Sequence, residues 1–227
     1  MSNTFEKPLI IFDMDGTLLD LAYDEFIWNE LLPQRYATTH GCSLEQSTQI
    51  LTRFYQQHNH TLNWYSSRFW TAQVGVDVLS MQIEQQHRVA KRPGCIELLE
   101  TLKRQGYRCW LATNADCAGL QFKLDAMALA PYFELIISSE TLGYAKERIE
   151  FWQNLQQQYP FDPQNCYFID DTEKVLQGAE QFGIAHLITI AQPSSQHSAR
   201  TQANYPMLEH LTDLMALLTS QEHHSYA

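Results

Sequence analysis

Residues 8 to 20 read Pro-Leu-Ile-Ile-Phe-Asp-Met-Asp-Gly-Thr-Leu-Leu-Asp. The apolar run Leu9 to Phe12 fits a strand buried on both faces, and it passes without a turn signal into two carboxylates, Asp13 and Asp15, followed at once by Gly16. Two acids at the rim of a core raise both desolvation and like-charge costs. A bound cation would offset those costs, so the segment points to a metal site. Two plainer readings stand beside it. Asp and Gly also favour a strand-end turn. A calcium loop fits less well, because Gly is fourth here where that loop wants it sixth, and a strand rather than a helix precedes the motif.

With 227 residues the chain can build one sizeable core, alone or with a smaller accessory module, and 44% hydrophobic with 12% aromatic residues sets it apart from disordered chains. A net charge of -11 repels a nucleic-acid backbone, yet leaves room for a small anionic substrate where local charge captures it. Cys42, Cys95, Cys109, Cys117 and Cys166 are odd in number and contain no Cys-x-x-Cys pair, which favours free thiols, read as small core residues, in a reducing compartment. No apolar run approaches the roughly 20 residues of a membrane helix, and the N-terminus lacks the pattern of a signal peptide, so a cytoplasmic protein without a membrane partner is expected.

From Arg92 onward helix-like and strand-like segments alternate. Strands are predicted over 107–113, 133–138, 165–170 and 184–190, which with Leu9 to Phe12 makes five; helices are predicted over 95–105, 118–127, 147–158 and 174–182. Such alternation implies a parallel sheet flanked by helices, with ligands bound beyond the carboxyl ends of its strands. Asp13, Asp15, Asp170, Asp171 and the pair Thr113-Asn114 all fall at such ends. Between Leu21 and about residue 90 the strand pattern disappears. Aromatic residues including Trp28, Tyr55, Trp64, Tyr65, Phe69 and Trp70 recur at helical spacings there, with turn signals near Pro33, Gly41 and Gly75. The expected division is therefore an α/β core of residues 1–20 and 91–227, with a helical insertion, 21–90, as a lid over the strand ends. A closing helix is expected over Met207 to Leu218.

Taken together these segments resemble the haloacid dehalogenase-like (HAD) phosphohydrolases. Asp-Met-Asp-Gly-Thr matches their first motif, Thr113-Asn114 the second, Lys146 in Gly-Tyr-Ala-Lys-Glu the third, and Asp170-Asp171 in Tyr-Phe-Ile-Asp-Asp-Thr the fourth. The resemblance implies a Rossmann-like HAD core with a helical cap and a Mg²⁺ cofactor. It assigns the metal to the Asp13 carboxylate, the Asp15 backbone carbonyl and the Asp171 carboxylate, with Asp170 orienting its water. Asp13 would then be the nucleophile that becomes an aspartyl-phosphate, Asp15 the acid and base, and Lys146 the neutralising cation, while Thr113 and Asn114 hold phosphate oxygens. Dehalogenating members lack the second Asp, so phosphate chemistry is expected.

Residues 14–24 and 60–65, together with the Gly-Tyr-Ala-Lys-Glu and Phe-Ile-Asp-Asp segments, are similar to the bacterial HAD 5'-nucleotidases that hydrolyse GMP and IMP, with Ala145 where those have Pro. A purine monophosphate is then the expected partner. Trp64, Tyr65 or Trp70 could stack on its base, and His60 or Asn63 could bond its edge or ribose; equally, the aromatics could be packing within the helical segment. A phosphatase for a sugar phosphate, a phosphomutase and a non-catalytic phosphate-binding protein are the alternatives.

Overall fold

The computed structural model describes residues 7–224. Apolar runs become the strands β1 (Leu9–Phe12), β2 (Arg108–Thr113), β3 (Leu135–Ser138), β4 (Cys166–Ile169), β5 (His186–Ile190) and the two-residue β6 (Met207–Leu208). All pair in parallel, in the order β3-β2-β1-β4-β5-β6. The sheet is buried on both sides because alternate residues feed different cores. Ile10 and Phe12 pack with Leu111 and Ile169 on one face, while Leu9 and Ile11 pack with Trp110 and Phe168 on the other.

The helices between β1 and β2 are α1 (Ala22–Phe26), α2 (Leu32–His40), α3 (Leu44–His58), α4 (Ser67–Val74), α5 (Val78–Glu84) and α6 (Cys95–Arg104). The remainder are α7 (Cys117–Met127), α8 (Ser139–Leu142), α9 (Ile149–Gln158), α10 (Glu173–Phe182) and α11 (Leu214–His224). No helix is long and apolar enough to cross a membrane among the described residues. The chain leaves and re-enters the sheet layer through two adjacent strands of loop, since the Asp20 N–H donates to the Ala90 carbonyl at 2.9 Å and the Arg92 N–H to the Leu18 carbonyl at 2.9 Å.

The order of the strands, more than their existence, builds the site. Chain direction across the sheet reverses at β1, which lies between β2 and β4, and ligands in open parallel sheets bind at such a switch point. Phe12 is in register with Leu111 on one side and Ile169 on the other. The residues that follow these three strands therefore meet at one edge.

Three expectations need correction. The sheet has six strands, because Met207 and Leu208 add to β5 and the last helix starts only at Leu214. Pro33 marks no turn. It sits in the first turn of α2, directly after the π-helical turn Ile27–Leu31, so helical structure is continuous from α1 to Gly41. Gly41 and Gly75 do end helices. Of the cysteines, all free, only Cys95, Cys109 and Cys166 are core residues; Cys42 is half-buried and Cys117 is exposed at the start of α7.

Candidate active site

Asp13 directly follows β1 and Asp170 directly follows β4, with backbone N–H groups that continue the ladder to Ile169 at 2.9 Å and Ile188 at 3.1 Å. Each carboxylate is thereby fixed by its strand. Asp13, Asp170 and Asp171 are buried and can each present an oxygen within 4.8 Å of the others. Gly16, with φ +86°, makes this possible, because a Cβ there would lie 2.6 Å from the Asp171 carboxyl carbon. Burial pushes Asp13 up to about 7, with Lys146 opposing and Asp170 adding to the rise. Asp171 is pushed up to about 7 and Asp170 to about 6, again chiefly by burial.

Lys146 is the counter-charge within this group. Only 1% exposed, it places Nζ 2.5 Å from Asp13 Oδ1, 2.7 Å from Asp170 Oδ2 and 3.0 Å from the Ala112 carbonyl. Burial alone would lower its pKa; Asp13 and Asp170 more than reverse that and hold it above the usual lysine range. Its backbone is fixed at both ends, with N–H donating to Asn114 Oδ1 at 2.9 Å and the carbonyl accepting from Trp152 Nε1 at 2.9 Å. Thr113 ends β2 beside this group, its hydroxyl accepting from the Ala115 N–H at 3.1 Å.

Asp15 stands apart from the three clustered acids. Its carboxylate accepts from Lys123 Nζ at 2.7 Å, and the same ammonium reaches both oxygens of Asp24, at 2.8 and 2.9 Å. Burial pushes Asp24 up to about 6 despite this lysine. No motif in the sequence marks Lys123, but one local cue does. It shares one face of α7 with the buried Leu120 and Leu124, where a lysine needs a partner.

Asp13, Asp15, Thr113, Asn114, Lys146, Asp170 and Asp171 all border one cavity of about 380 Å³, which extends to His60, Trp64 and Tyr65. Such a volume lies within the usual range for small-ligand sites, roughly 300–1,000 Å³. Trp70 does not take part: it is fully buried, its Nε1 donating to the Trp64 carbonyl at 2.8 Å, and it packs behind Trp28, Tyr55 and Trp64. Asn63 is exposed and does not line the cavity. Tyr65 is engaged elsewhere, its hydroxyl donating to Glu147 Oε1 at 2.6 Å, and burial together with that carboxylate raises its pKa so that it stays a donor. Glu147 also meets His60 Nδ1 at 3.3 Å and accepts from Asn114 Nδ2 at 3.0 Å. This buried glutamate joins the segment before α4 to the end of β2, a role that its exposed-looking place beside Lys146 in the sequence did not signal. Trp28, Asn29, Tyr55 and Asn59 are further wall residues that spacing alone did not select.

The model for haloacid dehalogenase-like hydrolases matches residues 7–183. The chain is 34% identical over 199 residues to the GMP/IMP nucleotidase YrfG of Escherichia coli, covering 88% of this chain and 90% of that protein. It is 28% identical over 190 residues to the probable phosphatase IndB of Dickeya dadantii, covering 79% of each. Among solved structures, a HAD phosphatase from Thermococcus onnurineus superposes with a TM-score of 0.77 at 18% identity, over 94% of this chain and 98% of that one. A putative beta-phosphoglucomutase from Thermotoga maritima superposes with a TM-score of 0.67 at 18% identity, over 94% and 99%.

Proposed function

The chain belongs to the haloacid dehalogenase-like hydrolases and is a phosphatase of that family; from that premise we propose that it is a cytoplasmic, Mg²⁺-dependent 5'-nucleotidase for purine monophosphates that works through an aspartyl-phosphate. The observation that carries the reading is the buried group Asp13, Asp170, Asp171 and Lys146 at the switch point of the sheet. The residues suit a hard divalent cation. They offer oxygen donors only and they are desolvated; burial raises their pKa values, with smaller contributions from one another's charge, and a bound cation would favour their ionised forms. Asp13 and Asp171 would hold the ion. Asp170 has one oxygen accepting from Lys146 and the other from the Thr172 N–H at 2.8 Å, whereas among the described residues the Asp171 carboxylate accepts only from the Thr172 hydroxyl, at 3.3 Å, which favours Asp171 as the direct ligand. When bound, Mg²⁺ supplies neutralisation of the phosphate charge.

The residues of the chain divide the remaining work. Lys146 favours the ionised form of Asp13 against the effect of burial and balances the transferring phosphoryl group, so that Asp13 Oδ attacks phosphorus and the ribose 5'-oxygen leaves. Asp15 gives that oxygen its proton and afterwards takes one from the water that cleaves the aspartyl-phosphate. Lys123 holds Asp15 in place. Thr113 and Asn114 border the position of the phosphate, and the helical segment 21–90 acts as a cap over the core, with His60 and Trp64 on the cavity wall and Tyr65 tying the cap to Glu147.

Phosphate release from GMP, IMP, AMP, UMP, glucose 6-phosphate and glycerol phosphate with Mg²⁺ present tests this reading. GMP and IMP are expected to lead, and Asp13→Asn and Asp15→Asn to abolish turnover. A preference for sugar phosphates, or isomerisation of a sugar phosphate without phosphate release, would replace the nucleotidase reading with a general phosphatase or a mutase. Full turnover by Asp15→Asn would remove its acid-base role.

A further inference from the structure

The helix that opens the segment between β1 and β2 contains a turn of π-helix, Ile27–Leu31, and its cause is legible in the chain. Pro33 has no N–H to give the Asn29 carbonyl, and its ring clashes with that carbonyl four residues back. The ladder relaxes by one residue. The Leu32 N–H donates to the Ile27 carbonyl, five residues back, and the Trp28 carbonyl, left without its helical donor, accepts from the Tyr55 hydroxyl at 2.9 Å. Such turns recur at functional sites because they re-aim side chains. This one places Trp28 and Asn29 on the wall of the cavity that holds Asp13, on the same face as Glu25 one turn earlier.

The cavity wall carries two kinds of group. Lys146 lies at the strand ends. The same cavity is bordered by the indoles of Trp28 and Trp64, stacked at 6.5 Å between centroids with planes 21° apart, and by Glu25, Asn29 and Asn59. A carboxylate such as Glu25 repels a phosphate, which Lys146 attracts, whereas a neutral planar heterocycle with N–H donors suits it. Glu25 accepts from the Ser194 hydroxyl at 2.6 Å through one oxygen and meets His197 Nε2 at 3.0 Å through the other, which fixes its carboxylate while leaving acceptor capacity on both oxygens.

Resting on the nucleotidase reading above, we infer that Glu25, Trp28 and Asn29 form the nucleobase subsite: Trp28 is the face on which the base stacks, and Glu25 with Asn29 reads the edge of a 6-oxopurine. An ionised carboxylate only accepts, so it suits the N1–H of guanine or hypoxanthine and opposes the bare N1 of adenine. The Asn29 amide supplies the donor that the 6-oxo group needs.

The test is kcat/KM for GMP, IMP, AMP, ribose 5-phosphate and phosphocholine, measured on the full chain and on Trp28→Leu, Glu25→Gln and Asn29→Ala. In Trp28→Leu the ratio of GMP to ribose 5-phosphate is expected to fall about tenfold, the effect of losing one base-stacking face. In Glu25→Gln and Asn29→Ala the ratio of GMP to AMP is expected to fall by a similar factor, about tenfold. Unchanged ratios in all three variants would overturn the subsite. So would phosphocholine as the best substrate, since the aromatic wall and Glu25 would then be a cage for a quaternary cation. Should Trp28→Leu fail to fold, the two polar variants decide. Equal turnover of GMP and ribose 5-phosphate by the unaltered protein would instead strike the nucleotidase reading itself, and is visible before any variant is made.

Discussion

Gly178→Ala is the substitution for which the structure gives the sharpest expectation. Gly178 lies inside α10, where alanine would be favoured by about 1 kcal/mol on helix propensity alone. Its Cβ, however, would lie 2.7 Å from the carbonyl oxygens of both Lys146 and Glu147 and 2.8 Å from the Glu147 carbonyl carbon. Ordinary contacts begin at 3.4 Å, so α10 and the 146–147 backbone must part by 3.4 − 2.7, or 0.7 Å. That backbone has little freedom to yield, being held by Asn114 at the Lys146 N–H and by Trp152 at its carbonyl. Overpacking of this kind costs about 1–3 kcal/mol, so the net change runs from neutral to about 2 kcal/mol destabilising, or up to roughly 8 °C in Tm at about 2–4 °C per kcal/mol. Catalysis should suffer more. Lys146 reaches Asp13 and Asp170 at 2.5 and 2.7 Å, and a misplacement of about 1 Å at a reacting centre costs on the order of 100-fold, so a loss of tens-fold in kcat is expected. Steady-state hydrolysis of GMP with a parallel thermal melt measures both. A variant with unaltered kcat and a raised Tm would refute the claim that α10 sets the position of Lys146.

Two further expectations concern charge. Without a bound cation, burial pushes Asp13 and Asp171 up to about 7 and Asp170 up to about 6, against roughly 3.9 for an aspartate in an unfolded chain, so between about pH 4 and pH 7 the folded state binds more protons and these groups make stability fall as pH rises. A cation needs them ionised. Excess Mg²⁺ should therefore raise Tm more at about pH 8 than at about pH 5, and equal shifts would show that it binds elsewhere. Lys123→Met strands Asp15 and Asp24, whose side chains keep 20% and 19% exposure. Breaking a fully buried pair costs about 3–5 kcal/mol, so a loss of about 2–3 kcal/mol in urea unfolding is expected for these partly hydrated acids, together with reduced turnover. Stability unchanged within about 0.5 kcal/mol would mean that the ammonium carries no structural load.

The strands and the parallel α/β class were legible because a strand buried on both faces must be apolar throughout, and turn residues bracket each such run here. Asp13, Thr113 and Asp170 could be placed at strand ends for the same local reason. The edge strand β6 was not legible, since two residues carry no periodicity, and Pro33 carries the local signal of a turn because the remedy for its missing N–H is a ladder shift completed by Tyr55, twenty-two residues away. Glu147 and Lys123 escaped for a related reason. Their importance comes from what faces them, Tyr65 and Asn114 for one, Asp15 and Asp24 for the other.

Sequence alone determined which residue types stand at the ends of which strands, because alternation, apolar runs and turn chemistry act between near neighbours. Only the tertiary structure decided that β1 lies between β2 and β4, that Lys146 is shared between Asp13 and Asp170 while Asp15 is given to Lys123, and that Trp28 rather than Trp70 meets the cavity. Those outcomes depend on strand order and on the depth at which each side chain is buried, and a charge or an indole acquires its role from the groups packed against it.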